Sequence, residues 1–201
     1  MSPLPDPQSQ LFDYLVFLGA LVRNPRSIGA IAPSSARLAA DVAQDVQPAS
    51  RVVELGPGTG VITRAVLSRV GPSGALLAVD TSRAFIDRLQ RNWPELDAVC
   101  ASAEALPELA ASRGWDGVDH IVSGLPFATL PAAVTLQILD GIRNVLRVGG
   151  TFTTFQYVQA YRLPPSVTFR RELTERLGSP PQSRLVLRNL PPAHILTWRR
   201  H

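Results

Sequence analysis

The stretch Arg51-Val-Val-Glu-Leu-Gly-Pro-Gly-Thr-Gly60 constrains this chain more than any other. Val52 and Val53 form a short β-branched run of the kind that fills a buried strand. Gly56, Gly58 and Gly60 then fall in a tight turn, and Val61 to Leu67 continues with a helical apolar pattern. Strand, glycine turn and helix in this order is the layout of a nucleotide-type cofactor site. Glycines let the backbone come close to a ligand there.

The residues around the turn narrow the ligand. A phosphate-binding loop of the Walker type ends in Gly-Lys-Ser/Thr, and the chain contains no lysine. Glu54, two residues before the first glycine, would repel a pyrophosphate and suits a cationic ligand, such as the amino or sulfonium group of S-adenosylmethionine. Ala75 to Asp80 is a second apolar strand ending in an acid about 20 residues beyond the turn, where a carboxylate accepts both ribose hydroxyls. The competing role for Asp80 is at the start of the next helix, which Thr81-Ser82 can cap. The run E-L-G-P-G-T-G closely resembles the first motif of class I methyltransferases.

Composition sets outer bounds. A chain of 201 residues predicts one domain with a full core. A single cysteine, Cys100, excludes an intrachain disulfide and fits a reducing compartment. The net charge is +4, with arginine as the sole strongly basic residue, which favours anionic partners. No cluster of metal-ligating residues is evident, and no metal is expected.

Leu11 to Val22 is the most apolar run, about a dozen residues, too short to span a bilayer as a helix, which needs roughly 20. It also lacks the features of a signal peptide. On a helix, Leu11, Leu15, Leu18 and Val22 line one face, and Arg23 and Arg26 follow. Such a helix either packs across the domain or in a dimer contact, or lies in a membrane interface with its arginines on anionic head groups. Ser34 and Ser35 precede a second helix running to about Asp45, either as caps or as part of a loop closing over the cofactor. The expected division is an amino-terminal helical membrane-binding or lid segment, residues 1–46, and a core, residues 47–201.

Further along, residues 82–91 read as a helix, 96–100 as a third strand and 118–122 as a fourth. In class I methyltransferases the loop after the third strand lies beside adenine. Ser102, Ala103 and Glu104 match it in position, with capping as the other role of Ser102. A long amphipathic helix is predicted over 131–148, stopped by Gly149-Gly150, then a fifth strand over 151–157. Tyr157 falls at that strand's end. A substrate-side insertion or helix is expected from Pro164 to about Leu177, and an antiparallel pair over 183–188 and 193–198 closes the chain. The fold class is α/β: a Rossmann-like, seven-stranded, mainly parallel sheet with helices on both faces and an amino-terminal helical extension.

Ser123-Gly-Leu-Pro-Phe127 follows the fourth strand. It resembles the Asn-Leu-Pro-Tyr loop of ribosomal RNA adenine dimethylases, where backbone carbonyls and the Asn side chain hold the target nitrogen and the aromatic ring stacks on the base. Here Gly124 replaces Asn. A nucleobase amine loses its side-chain acceptor, at a cost on the order of 1–3 kcal/mol. An alkyl amine can use backbone carbonyls alone, and Phe127 offers it a π face.

With the apolar segment before G-A-I-A-P-S-S, these motifs resemble bacterial phospholipid N-methyltransferases of the PmtA type over nearly the whole chain. The resemblance implies stepwise conversion of phosphatidylethanolamine to phosphatidylcholine at the cytoplasmic face of the membrane, with S-adenosylmethionine as donor and S-adenosylhomocysteine as product, and no nucleic-acid partner. It implies that Glu54 and Gly56, Gly58 and Gly60 hold the methionine part, that Asp80 and Thr81 hold the ribose, and that Ser123, Gly124 and Leu125 aim the nitrogen through their carbonyls. Phe127 and Tyr157 would wall the head group, and Arg162 or Arg188 would bind the lipid phosphate. An RNA adenine dimethylase and a small-molecule amine methyltransferase are the alternatives.

Overall fold

The computed structural model describes residues 33–187, 189 and 191–201. The expected membrane-contact residues Leu11, Leu15, Leu18, Val22, Arg23 and Arg26, and the anion-binding candidate Arg188, lie outside the described residues.

Helix α1 (Pro33–Val42) precedes three β–α units: β1 (Arg51–Leu55), α2 (Val61–Val70), β2 (Ala75–Asp80), α3 (Arg83–Asn92), β3 (Asp97–Cys100) and, after a 3-10 turn over Ala103–Ala105, α4 (Leu106–Ala111). Then come β4 (Val118–Ser123), α5 (Ala132–Val145), β5 (Leu146–Tyr157), α6 (Val158–Tyr161), α7 (Pro164–Leu177), β6 (Gln182–Val186) and β7 (Ala193–Arg199). The seven strands form one sheet in the order β3-β2-β1-β4-β5-β7-β6. The first five run parallel, and β7 is antiparallel to both β5 and β6. This is the Rossmann-like fold expected from the sequence.

Alternation along the strands builds two cores. Val53, Leu55, Leu77 and Val79 face α4, α5 and α7 on one side of the sheet. Val52, Leu76 and Ala78 face α1, α2 and α3 on the other. Because β1 and β4 are neighbours, the chain order reverses between them, and the loops leaving their carboxyl ends meet at the switch point where ligands of such sheets bind.

Three expectations about the elements change. Leu38, Val42, Ala43 and Val46 are buried against Val52, Val66 and Leu76, so the packed core reaches upstream of the boundary expected at residue 47. Ser34 and Ser35 lie within the first turn of α1, after Pro33, rather than before the helix. Helix α5 ends at Val145, not at 148, because Leu146 leaves it to pair with Val118 as a fully buried strand residue. The chain then makes an irregular excursion through Gly149 before His120 and Thr151 restore the register.

Candidate cofactor and methyl-acceptor site

The glycine turn and the loop after β4 lock together. Gly124 N–H donates to Leu55 O at 2.8 Å. A Cβ on Gly124 would lie 2.6 Å from the carbonyl oxygen of Gly56, and one on Gly56 would lie 2.9 Å from Leu125 Cδ2. Glycine is therefore required on both sides of this contact. At Gly58 (φ +53) the corresponding direction is open, with nothing within 4 Å. That opening is a cradle over which a ligand can approach the backbone.

Glu54 lies beneath the turn, fully buried, and neither carboxylate oxygen has a hydrogen-bond partner. Burial is the main cause that pushes its pKa up to about 8, and the Asp80 charge adds to it. Thr63 lies alongside and pulls the value down, although its buried hydroxyl makes no hydrogen bond of proper geometry. An unpartnered buried carboxylate is costly, and a cation brought against it would stabilise its charged form.

Asp80 ends β2 half-buried. Its Oδ2 accepts from Gly58 N–H at 3.2 Å and its Oδ1 from Ser82 N–H at 2.8 Å. The carboxylate thus ties the turn to the second strand and retains lone pairs for hydroxyl donors. Thr81 beside it is exposed. After β3, Ser102 caps the 3-10 turn: its hydroxyl accepts from Glu104 N–H and donates to Glu104 Oε2 at 2.7 Å. Ala103 turns its side chain into the core, which leaves only its backbone for a ligand.

The acceptor loop departs from expectation at three residues. Ser123 is fully buried. Its carbonyl accepts from the Thr154 hydroxyl at 2.9 Å, and its own hydroxyl accepts from Leu125 N–H at 3.2 Å, so it shapes the loop and offers nothing to a substrate. The Leu125 carbonyl accepts from Phe127 N–H at 3.0 Å, and that of Pro126 accepts from Thr129. Among the described residues, the Gly124 carbonyl is the one between Ser123 and Pro126 that receives no donor. Phe127 is 4% exposed and stacks on Phe169, with ring centroids 4.2 Å apart and planes inclined by 20°. Its face is covered by that ring, so it braces the loop from the core and does not present a π face to an ammonium.

Tyr157 ends β5 as expected. It is half-buried, sets its ring edge against Phe155 and packs on the cluster of Ala128, Ala160 and Leu163. Arg162 follows α6, exposed and, among the described residues, in no ion pair. Sequence reasoning missed Thr154, the Phe127–Phe169 stack and the short helix α4, whose one local signal is Pro107 in its first turn.

A turn with open space above Gly58, a buried carboxylate beneath it and an acid closing the second strand define an α/β enzyme with a nucleoside-type cationic cofactor. A methyltransferase domain family matches residues 52–150. The ornithine lipid N-methyltransferase of Singulisphaera acidiphila is 30% identical over 145 residues, covering 70% of this chain and 76% of that protein. Ribosomal RNA small subunit methyltransferase A of Thiobacillus denitrificans is 38% identical over 81 residues, only 40% of this chain and 30% of that one. Among solved structures, the 1,6-didemethyltoxoflavin-N1-methyltransferase of Burkholderia thailandensis, bound to S-adenosylhomocysteine, superposes with a TM-score of 0.65 at 18% identity, over 100% of this chain and 92% of that one. The chain belongs to the class I S-adenosylmethionine-dependent methyltransferases. S-adenosylmethionine is its methyl donor, and the residues fit it: Glu54 for the cationic end, the glycine turn for close approach and Asp80 for the ribose.

Proposed function

We propose that this protein is a lipid N-methyltransferase that methylates the amine of phosphatidylethanolamine and of its methylated derivatives, giving phosphatidylcholine. The observation that carries this reading is Gly124. Its contact with Gly56 excludes a side chain there, so the loop offers an incoming amine a backbone carbonyl and no planar side-chain acceptor. That suits a flexible alkyl amine better than a nucleobase. The match to a lipid N-methyltransferase over most of both chains supports the same class of acceptor.

When bound, the cofactor would supply a sulfonium methyl group for in-line attack by a nitrogen lone pair, with S-adenosylhomocysteine as the leaving thioether. The protein's part is placement. In the first two transfers the Gly124 carbonyl accepts an N–H of the neutral amine and turns its lone pair inward; the tertiary amine of the third has no N–H and is placed by the walls of the site. Tyr157 and the Ala128–Leu163 cluster wall the same end of the sheet. Burial beside a cationic donor lowers the pKa of the ammonium and favours loss of its proton before transfer. The enzyme works peripherally on the cytoplasmic face of an anionic membrane, held by residues 11–26 and without nucleic acid. Arg162 is the described candidate for the lipid phosphate.

Methyl-labelled S-adenosylmethionine with vesicles of phosphatidylethanolamine and an anionic lipid tests this. Mono-, di- and trimethylated lipid is the expected product. Label confined to ribosomal RNA would favour the adenine dimethylase reading that the shorter matches suggest. A labelled soluble amine would replace both.

A further inference from the structure

Behind the acceptor loop lies a groove of about 570 Å³ between the start of α5 and the start of α7. That volume falls within the roughly 300–1,000 Å³ of small-molecule sites. Phe127 and Phe169 form its floor, and Leu130, Leu136, Pro164 and Thr168 its walls. Its one acid, Glu172, is neutralised by Arg176 at 2.8 Å and Arg171 at 3.1 Å. The groove therefore offers apolar surface and no free charge.

Its surroundings are equally selective. Residues 124–139 contain no charged side chain, and of the five arginines within 141–171, Arg147 is paired with Asp116 and Asp119 and Arg171 with Glu172. Leu136 lines the groove 37% exposed, and Val158 on α6 and Val167 on α7 stand 43% and 47% exposed. Arg162 is exposed, and Arg170 is held over the Tyr161 ring at 4.0 Å by Gln156 and the Tyr161 carbonyl, with no carboxylate partner among the described residues. Exposed apolar side chains with Arg162 and Arg170 beside them, and with Glu172 neutralised by its own arginines, complement an anionic lipid surface.

We propose that the groove between α5 and α7 takes one acyl chain of the lipid whose amine is methylated, while the α6–α7 elbow rests on the bilayer. This deepens the reading of the protein as a lipid methyltransferase and rests on it. The floor residue Phe127 is three positions from Gly124, so a chain seated in the groove belongs to a lipid whose head group lies at the acceptor loop. The elbow becomes a second membrane contact, separate from residues 11–26.

The test uses the full chain with vesicles of phosphatidylethanolamine and phosphatidylglycerol that contain phosphatidylethanolamine with a photoreactive diazirine on one acyl chain. Irradiation and peptide mass spectrometry should place adducts within 127–136 and 164–172. Thr168→Trp fills the groove from an exposed position on α7 and should cut those adducts at least tenfold, with S-adenosylhomocysteine affinity within twofold of wild type. Leu136→Trp does the same from the opposite wall. Adducts only elsewhere, or adducts in the groove indifferent to both substitutions, would overturn the proposal. Methylated lipid with adducts only elsewhere refutes the groove and keeps the lipid reading. Groove adducts without any methylated lipid do the reverse.

Discussion

Gly56 and Gly124 meet back to back: a single methyl group on Gly124 would sit 2.6 Å from the Gly56 carbonyl oxygen. This contact joins the cofactor turn to the acceptor loop, and the Gly124 N–H bond to Leu55 O fixes it. Gly124→Ala must push the two loops apart. We expect a loss of about 1–3 kcal/mol in stability, of the size overpacking brings, together with weaker cofactor binding. Urea unfolding and calorimetric titration measure both. Unchanged values for the pair would mean that the loops are not coupled.

Glu54 makes cofactor binding pH-dependent. Its carboxyl titrates at about 8 in the folded chain against 4.5 ordinarily, so the folded state binds the proton more tightly. The cofactor-free protein therefore loses stability as pH rises from about 4.5 to about 8, and this group adds no slope outside that window. A cation seated against Glu54 expels the proton, so binding at pH 7 should release most of one proton per site. Affinity should rise roughly tenfold per pH unit below 8. Calorimetry in buffers of different ionisation enthalpy counts the protons. Glu54→Gln should abolish the release and show its largest affinity deficit at pH 8. Zero proton release by the wild type would remove Glu54 from the cation's environment.

Asp80 holds Gly58 and Ser82 by their amides. Asp80→Ala frees both and removes the hydroxyl acceptor. S-adenosylhomocysteine affinity should fall by about tenfold or more, in line with about 1–3 kcal/mol for a hydrogen-bonded buried partner. A dissociation constant within twofold of wild type would contradict the ribose placement.

Phe127 separates a packing role from a catalytic one. Phe127→Ala should cost about 3–5 kcal/mol in stability, because it opens a cavity against Phe169 and Phe152. Phe127→Leu keeps most of the volume and should retain a turnover rate within a few-fold of wild type. A hundredfold loss in the folded leucine variant would restore the ring to the chemistry.

Local chemistry made much of this readable from the sequence. The β-branched run of β1, the glycine turn and the acid closing β2 lie within thirty residues of one another, and each works through its neighbours. The sequence leaves open whether the stretch from Pro164 to about Leu177 is an insertion or a helix, but the bounds of α7 were legible. Pairings across the fold were not. Phe127 reads as a substrate ring until Phe169, on another helix, covers it. Ser123 reads as an available carbonyl until Thr154 claims it from the neighbouring strand. Leu146 continues the helical spacing of α5, and only its pairing with Val118 moves it into the sheet.

The most direct test of the acceptor is competition in one tube. Wild-type protein receives methyl-labelled S-adenosylmethionine with phosphatidylethanolamine vesicles and small-subunit ribosomal RNA together, and label is counted in the separated lipid and RNA. The account predicts label in lipid, progressing from mono- to trimethylated head groups, with none in RNA above a cofactor-only control. Label in RNA, or unlabelled lipid while the cofactor is bound, would contradict it.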